Sequence, residues 1–152
     1  MHFYNLIKDL SDKKPIMLFV DMDGVIVSYD VGKAFDFLNK RPLNENISKI
    51  EKVGELPNVE LHILSICKKD FQIEEKNTWL DKYAPFFQKE NRTIISKEKL
   101  ESVTSPEIKA NYLKNIKTNK QIVLIDDDNS VLKCVMKDVE DVIAFQDSEL
   151  ID

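Results

Sequence analysis

Four short strand-like runs recur along the 152-residue chain: IMLFV (16–20), VELHILSI (59–66), RTIIS (92–96) and QIVLI (121–125). The first, IMLFV, is apolar without a break, the mark of a strand buried on both faces. Between the runs lie segments with apolar residues at helical spacing. Ile47, Ile50, Val53 and Leu56 share one face of 44–56, and Trp79, Leu80 and Tyr83 share one side of a helix that Pro85 ends. In 105–116, Ser105 is the expected cap, Pro106 fits the first helical position, and Ile108, Tyr112, Leu113 and Ile116 line one face. A last helix spans 129–139, and VIAF (142–145) reads as a fifth strand. Strands alternating with helices build βα units on a parallel sheet with right-handed crossovers. The expected fold is α/β: a Rossmann-like three-layer α/β/α sandwich around a central five-stranded parallel sheet.

One domain over 1–152 suits this length, and at this size a core forms without staples. With 27 acids against 22 bases the formal charge is −5, which argues against a dedicated nucleic-acid surface. Cys67 and Cys134 are far apart and form no CxxC, so reduced thiols are expected. The first 14 residues are too polar for a secretory leader, and no apolar run approaches the roughly 20 residues of a membrane helix. A cytoplasmic location follows as the expectation.

In an open parallel sheet, ligands bind outside the carboxyl ends of the strands, where the strand order reverses. The residues there are charged. Asp21 and Asp23 follow the first run, Ser65 ends the second, and Asp126, Asp127 and Asp128 follow the fourth. Neighbouring strands lie about 4.8 Å apart, so acids at two adjacent strand ends crowd one another unless a cation lies between them. Mg²⁺ is suited to this, because it takes a few carboxylates and leaves its other positions to water and phosphate. Asp21, Asp23 and Asp126 supply three negative charges, which Mg²⁺ and one lysine balance. Lys97, Lys99 and Lys109 are the candidates; Lys109 is preferred because it opens a helix 17 residues before Asp126, room for one helix and one strand. Asp128 is placed to cap the following helix.

In this order, DMDGV after the first strand, a serine ending the second, a lysine opening a helix and an acidic pair after IVLI resemble the haloacid dehalogenase superfamily of phosphohydrolases. The likeness runs from Ile16 to about Asp128. EKNTWLDKYAP, KANYL and VLIDDDNSVL are further similar to its 5′-nucleotidase-like members. The resemblance implies a Mg²⁺-dependent phosphate monoester hydrolase with Asp21 as nucleophile and Asp23 as general acid and base. It implies that Met22, Asp23, Gly24, Ser65, Ile66 and Lys109 surround the substrate phosphate, with Gly24 making the sharp turn beside it. It implies that Asp21, the backbone carbonyl of Asp23 and Asp126 hold Mg²⁺ directly, and Asp127 through water.

The same four residues DMDG alone are a weak signal, as are Ser65 or Lys109 alone; their order and strand context give them weight. A receiver-type reading of IVLIDDDNSVL fails because only 24 residues follow Asp128. A cysteine-phosphatase reading fails because position 73, six residues after Cys67, is Ile. His62, Trp79, Phe86 and Phe87 are expected to be structural.

Members of that superfamily often carry a cap. Here 25–43 has room for a flap with one small helix around KAFDFLNK, and 97–106 for a loop. The expected site is therefore open. In the resembling family that goes with a large substrate, or with a partner or second copy that closes the site. A nucleotide-like monoester is the first expectation for the substrate. A phosphotyrosine or phosphoserine protein is the second, and a non-catalytic binding module with the same fold is the third.

Overall fold

The computed structural model describes residues 2–29 and 36–151. The runs form five strands: β1 (Ile16–Val20), β2 (Val59–Cys67), β3 (Arg92–Ser96), β4 (Gln121–Asp126) and β5 (Ile143–Gln146). They make one parallel sheet in the order β3-β2-β1-β4-β5. The helices are α1 (His2–Lys13), α2 (Asn44–Gly54), α3 (Phe71–Tyr83), α4 (Ser105–Lys114) and α5 (Asn129–Asp138).

Side chains alternate across the sheet, and this divides the interior into two apolar layers. Leu18, Val20, Ile63, Val123 and Ile125 face α1, α2 and α3 through Phe3, Ile7, Ile50 and Leu80. Phe19, Leu64 and Leu124 face α4 and α5 through Leu113, Val131 and Val135. The chain steps from β1 to β3 with its helices on the first face, then back to β4 and β5 with its helices on the second. All crossovers therefore share one hand. Strand order reverses between β1 and β4, where Val20 lies opposite Ile125.

The structure adds to and corrects the sequence expectations at several places. The polar N-terminal segment is an amphipathic helix that buries Phe3 and Ile7. The cap of α4 is Thr104 rather than Ser105. Its hydroxyl accepts the Glu107 N–H while the Glu107 carboxylate accepts the Thr104 N–H, so the box closes one residue earlier. α3 begins at Phe71 and ends before Pro85 as expected. Ser65 lies within β2, two residues before its end.

The flap's two arms pair antiparallel: the Ser28 N–H donates to the Arg41 carbonyl and the Leu43 N–H to the Ile26 carbonyl. Trp79 is buried and its indole N–H donates to the Lys40 carbonyl at 3.0 Å, anchoring the returning arm to α3. Of the small helix expected around 33–40, Phe37–Asn39 forms a single 3-10 turn, and residues 30–35 of the flap lie outside the described residues. Residues 97–104 contain neither helix nor strand. No helix among the described residues is long and apolar enough to cross a membrane.

Candidate functional site

β1 and β4 end side by side at the switch point: Asp21 follows β1 directly and Asp126 is the last residue of β4. The Asp21 N–H still donates to the Ile125 carbonyl at 3.0 Å, which locks the acid to the neighbouring strand. From the opposite layer, the buried Lys109 near the start of α4 reaches both carboxylates. Its ammonium donates to Asp21 Oδ1 at 2.9 Å and to Asp126 Oδ2 at 2.6 Å. Of the three candidate lysines, Lys109 makes this contact, whereas Lys97 lines a neighbouring cavity.

Asp127 completes a cluster in which one carboxylate oxygen each of Asp21, Asp126 and Asp127 lie within 4.8 Å of one another. Three carboxylates thus meet one ammonium, and the charges do not balance. Burial, and then the charge of Asp126, push Asp21 up to about 8 against the pull of Lys109. The same two causes push Asp127 up to about 6. Burial works against the charge on Lys109, but Asp21 and Asp126 outweigh it and hold the ammonium above its usual range. A set of carboxylate oxygens with excess negative charge, and no sulfur or imidazole, fits a hard divalent cation such as Mg²⁺. Asp128 stands apart: its side chain accepts the Ser130 N–H at 2.8 Å and caps α5.

Asp23 is in different company. Its charge does not join those of Asp21 and Asp126, contrary to what its place in the sequence implies; its carboxylate is held by two other lysines. Lys76 donates to Asp23 Oδ2 at 2.9 Å and Lys40 to Oδ1 at 3.2 Å. Burial alone would raise the Asp23 carboxyl, but Lys76 and then Lys40 overcome it and hold the group below the usual carboxylate range. Lys76 also donates to Ser65 Oγ at 2.7 Å and to the Ile66 carbonyl at 3.0 Å, so its three N–H donors are all engaged. Ser65 accepts there, which leaves its own O–H as a donor. Both ammoniums lie over the Phe37 ring, at 5.0 Å for Lys40 and 5.1 Å for Lys76.

Neither Lys76 nor Lys40 was foreseen. Lys76 did leave a signal: it falls on the same helical stripe as Trp79, Leu80 and Tyr83, and a lysine within an apolar stripe needs a buried partner. Lys40 left none, because it sits in a loop whose path only the folded flap defines.

Met22 and Gly24 shape the turn between the two acids. The Met22 carbonyl accepts the N–H groups of Val25, Ile26 and Val27, and the Gly24 N–H donates to the Val27 carbonyl at 2.8 Å. Gly24 has φ +82°, and a Cβ there would lie 2.0 Å from Asp127 Oδ2. Gly24→Ala should therefore lose about 1–3 kcal/mol of stability, from the left-handed backbone and the displaced carboxylate together. Urea denaturation measures this, and an unchanged midpoint would contradict it.

Two cavities meet at Asp23. One, of about 120 Å³, is lined by Asp21, Lys109, Asp126 and Asp127. The other, of about 370 Å³, is lined by Lys40, Lys68, Lys76 and Lys97. Asp23, Tyr29, Ile66 and Ser105 border both. Cys67 lies on the lysine side. Burial pushes its thiol up, and Sγ donates to the Lys69 carbonyl, as befits an ordinary buried thiol. His62 stacks on Phe19 at 4.7 Å and bonds to Glu60, within the sheet and away from both cavities. No known family model matches the chain, and no curated protein sequence matches it.

Proposed function

We propose that the protein is a phosphate monoester hydrolase of the haloacid dehalogenase type, acting through an aspartyl-phosphate on Asp21. The observation that supports this best is the pair Asp21 and Asp126 at the switch point, bridged by buried Lys109, with Asp23 two residues on in a separate network that reaches Ser65. Phosphoryl transfer asks a protein chiefly to position groups and neutralise charge, and these residues are arranged for that.

In the first step an Asp21 oxygen attacks phosphorus, the ester P–O bond breaks, and the leaving oxygen takes a proton from Asp23, which must first take that proton from solvent because Lys76 and Lys40 favour its ionised form. In the second, water gives its proton to Asp23 and attacks phosphorus, and the bond to Asp21 breaks to release phosphate. Ser65, through its O–H, and Lys109 hold the phosphate oxygens. Asp21, Asp126, Asp127 and the Asp23 carbonyl would hold Mg²⁺, whose contribution is to neutralise phosphate charge.

The cavity of about 370 Å³ beside Asp23 is of a size for a small leaving group, and it favours a small monoester over a phosphoprotein. The test is hydrolysis of an aryl phosphate with and without Mg²⁺, followed by a panel of mononucleotides and phosphopeptides. Mg²⁺-dependent turnover, with small monoesters hydrolysed in preference to phosphopeptides, is expected. Turnover of phosphopeptides alone would make the substrate a macromolecule, and no turnover of any ester would leave a binding module.

A further inference from the structure

We infer that the cavity beside Asp23 is a second anion subsite, and that the substrate is a small phosphate monoester whose leaving group carries an anionic group of its own. The inference rests on the phosphatase reading above, since it takes the Asp21 side as the seat of the reacting phosphate.

The lining of the cavity carries the argument. Among the described residues four lysines, Lys40, Lys68, Lys76 and Lys97, line it against the one carboxylate of Asp23. Lys40 and Lys76 share that carboxylate, and both are buried. Lys68 and Lys97 have no carboxylate within ion-pair distance among the described residues, and the nearby Glu98 is engaged by Lys69 and by the Asp70 N–H. Among the described residues positive charge therefore exceeds negative around a half-open cavity, with the exposed Lys68 and half-buried Lys97 at its mouth, and such a lining draws anions in.

The cavity is poorly made for a neutral aromatic group. The face of Phe37 is covered by the Lys40 and Lys76 ammoniums, and its edge packs on Trp79 at 6.1 Å. Tyr29 is the remaining ring on the lining, and it is largely exposed. The shared border at Asp23 and Ile66 sets the two anion positions side by side. A reacting phosphate on the Asp21 side would thus have its leaving group directed toward the lysines.

The experiment uses the Asp21→Asn protein with Mg²⁺, so that ligands are not consumed, and titration calorimetry on two matched pairs. Glucose 1,6-bisphosphate is compared with glucose 6-phosphate, and 3-phosphoglycerate with glycerol 3-phosphate. The doubly anionic member of at least one pair should bind about tenfold more tightly or better, the effect of one charge-assisted hydrogen bond. A gain in the first pair alone identifies a second phosphate, and a gain in the second pair alone identifies a carboxylate. Adding Lys68→Gln and Lys97→Gln should bring the ratio to within about twofold of one, whereas Lys117→Gln, at the other end of the sheet, should leave it unchanged.

Equal affinities in both pairs would overturn the inference, and so would a ratio that survives the loss of Lys68 and Lys97 or falls equally with Lys117→Gln. Aryl phosphate hydrolysis by the unaltered protein is read alongside. Hydrolysis without selectivity removes the subsite and keeps the phosphatase, while selectivity without hydrolysis does the reverse.

Discussion

Asp21→Asn should lower aryl phosphate hydrolysis at least about 10³-fold while the protein stays folded. The amide has nearly the shape of the carboxylate but is a far weaker nucleophile. It also removes one negative charge from a site that carries three carboxylates against the Lys109 ammonium. The fold should therefore hold or gain slightly, since burial and the neighbouring Asp126 already disfavour the Asp21 charge. Kinetics and a denaturation curve on the same preparation separate chemistry from folding. Retained turnover in a folded Asp21→Asn protein would exclude Asp21 as the nucleophile, whatever else the site does.

Lys109→Met should cost about 3–5 kcal/mol of stability, because it leaves Asp21 and Asp126 buried without their ammonium. Methionine keeps most of the volume, so the loss reports charge rather than packing. The loss should be smaller in Mg²⁺ than in chelator, since removing the competing ammonium lets the cation bind the variant more tightly than the unaltered protein, and each tenfold of that difference is worth about 1.4 kcal/mol at saturating cation. Urea titrations of both proteins under both conditions give the comparison. If Lys109→Met is no less stable than the unaltered protein, the ammonium is not what makes the two acids tolerable. If Mg²⁺ leaves all four curves unmoved, the acidic cluster does not hold it.

Much of this molecule was legible in one dimension. The short runs rich in branched apolar residues located β1 to β4 to within a residue or so, because such residues favour strands and turn or polar segments bound each run. The rule that ligands gather at the carboxyl ends of parallel strands then pointed to Asp21, Ser65 and Asp126. The distance of 17 residues from Lys109 to Asp126 fits one helix and one strand, and their side chains do meet. The cap of α4 was missed by one residue, because Ser105 is by itself the better cap and only the reciprocal bonds with Glu107, three residues on, favour Thr104.

What sequence alone determined is the periodic part: the order of strands and helices, the parallel sheet, and the acids at its carboxyl edge. These follow from patterns that repeat every two or 3.6 residues and are set by local geometry. What only the tertiary structure decided is how the charges pair. Lys76 and Asp23 are 53 residues apart, Lys40 reaches Asp23 from the returning arm of the flap, and together they take Asp23 out of the cluster around Asp21. No periodicity encodes that division. It depends on where long flexible side chains end once two layers of helices have closed on the sheet, and on which carboxylate each ammonium then reaches in a space where an unpaired charge is expensive.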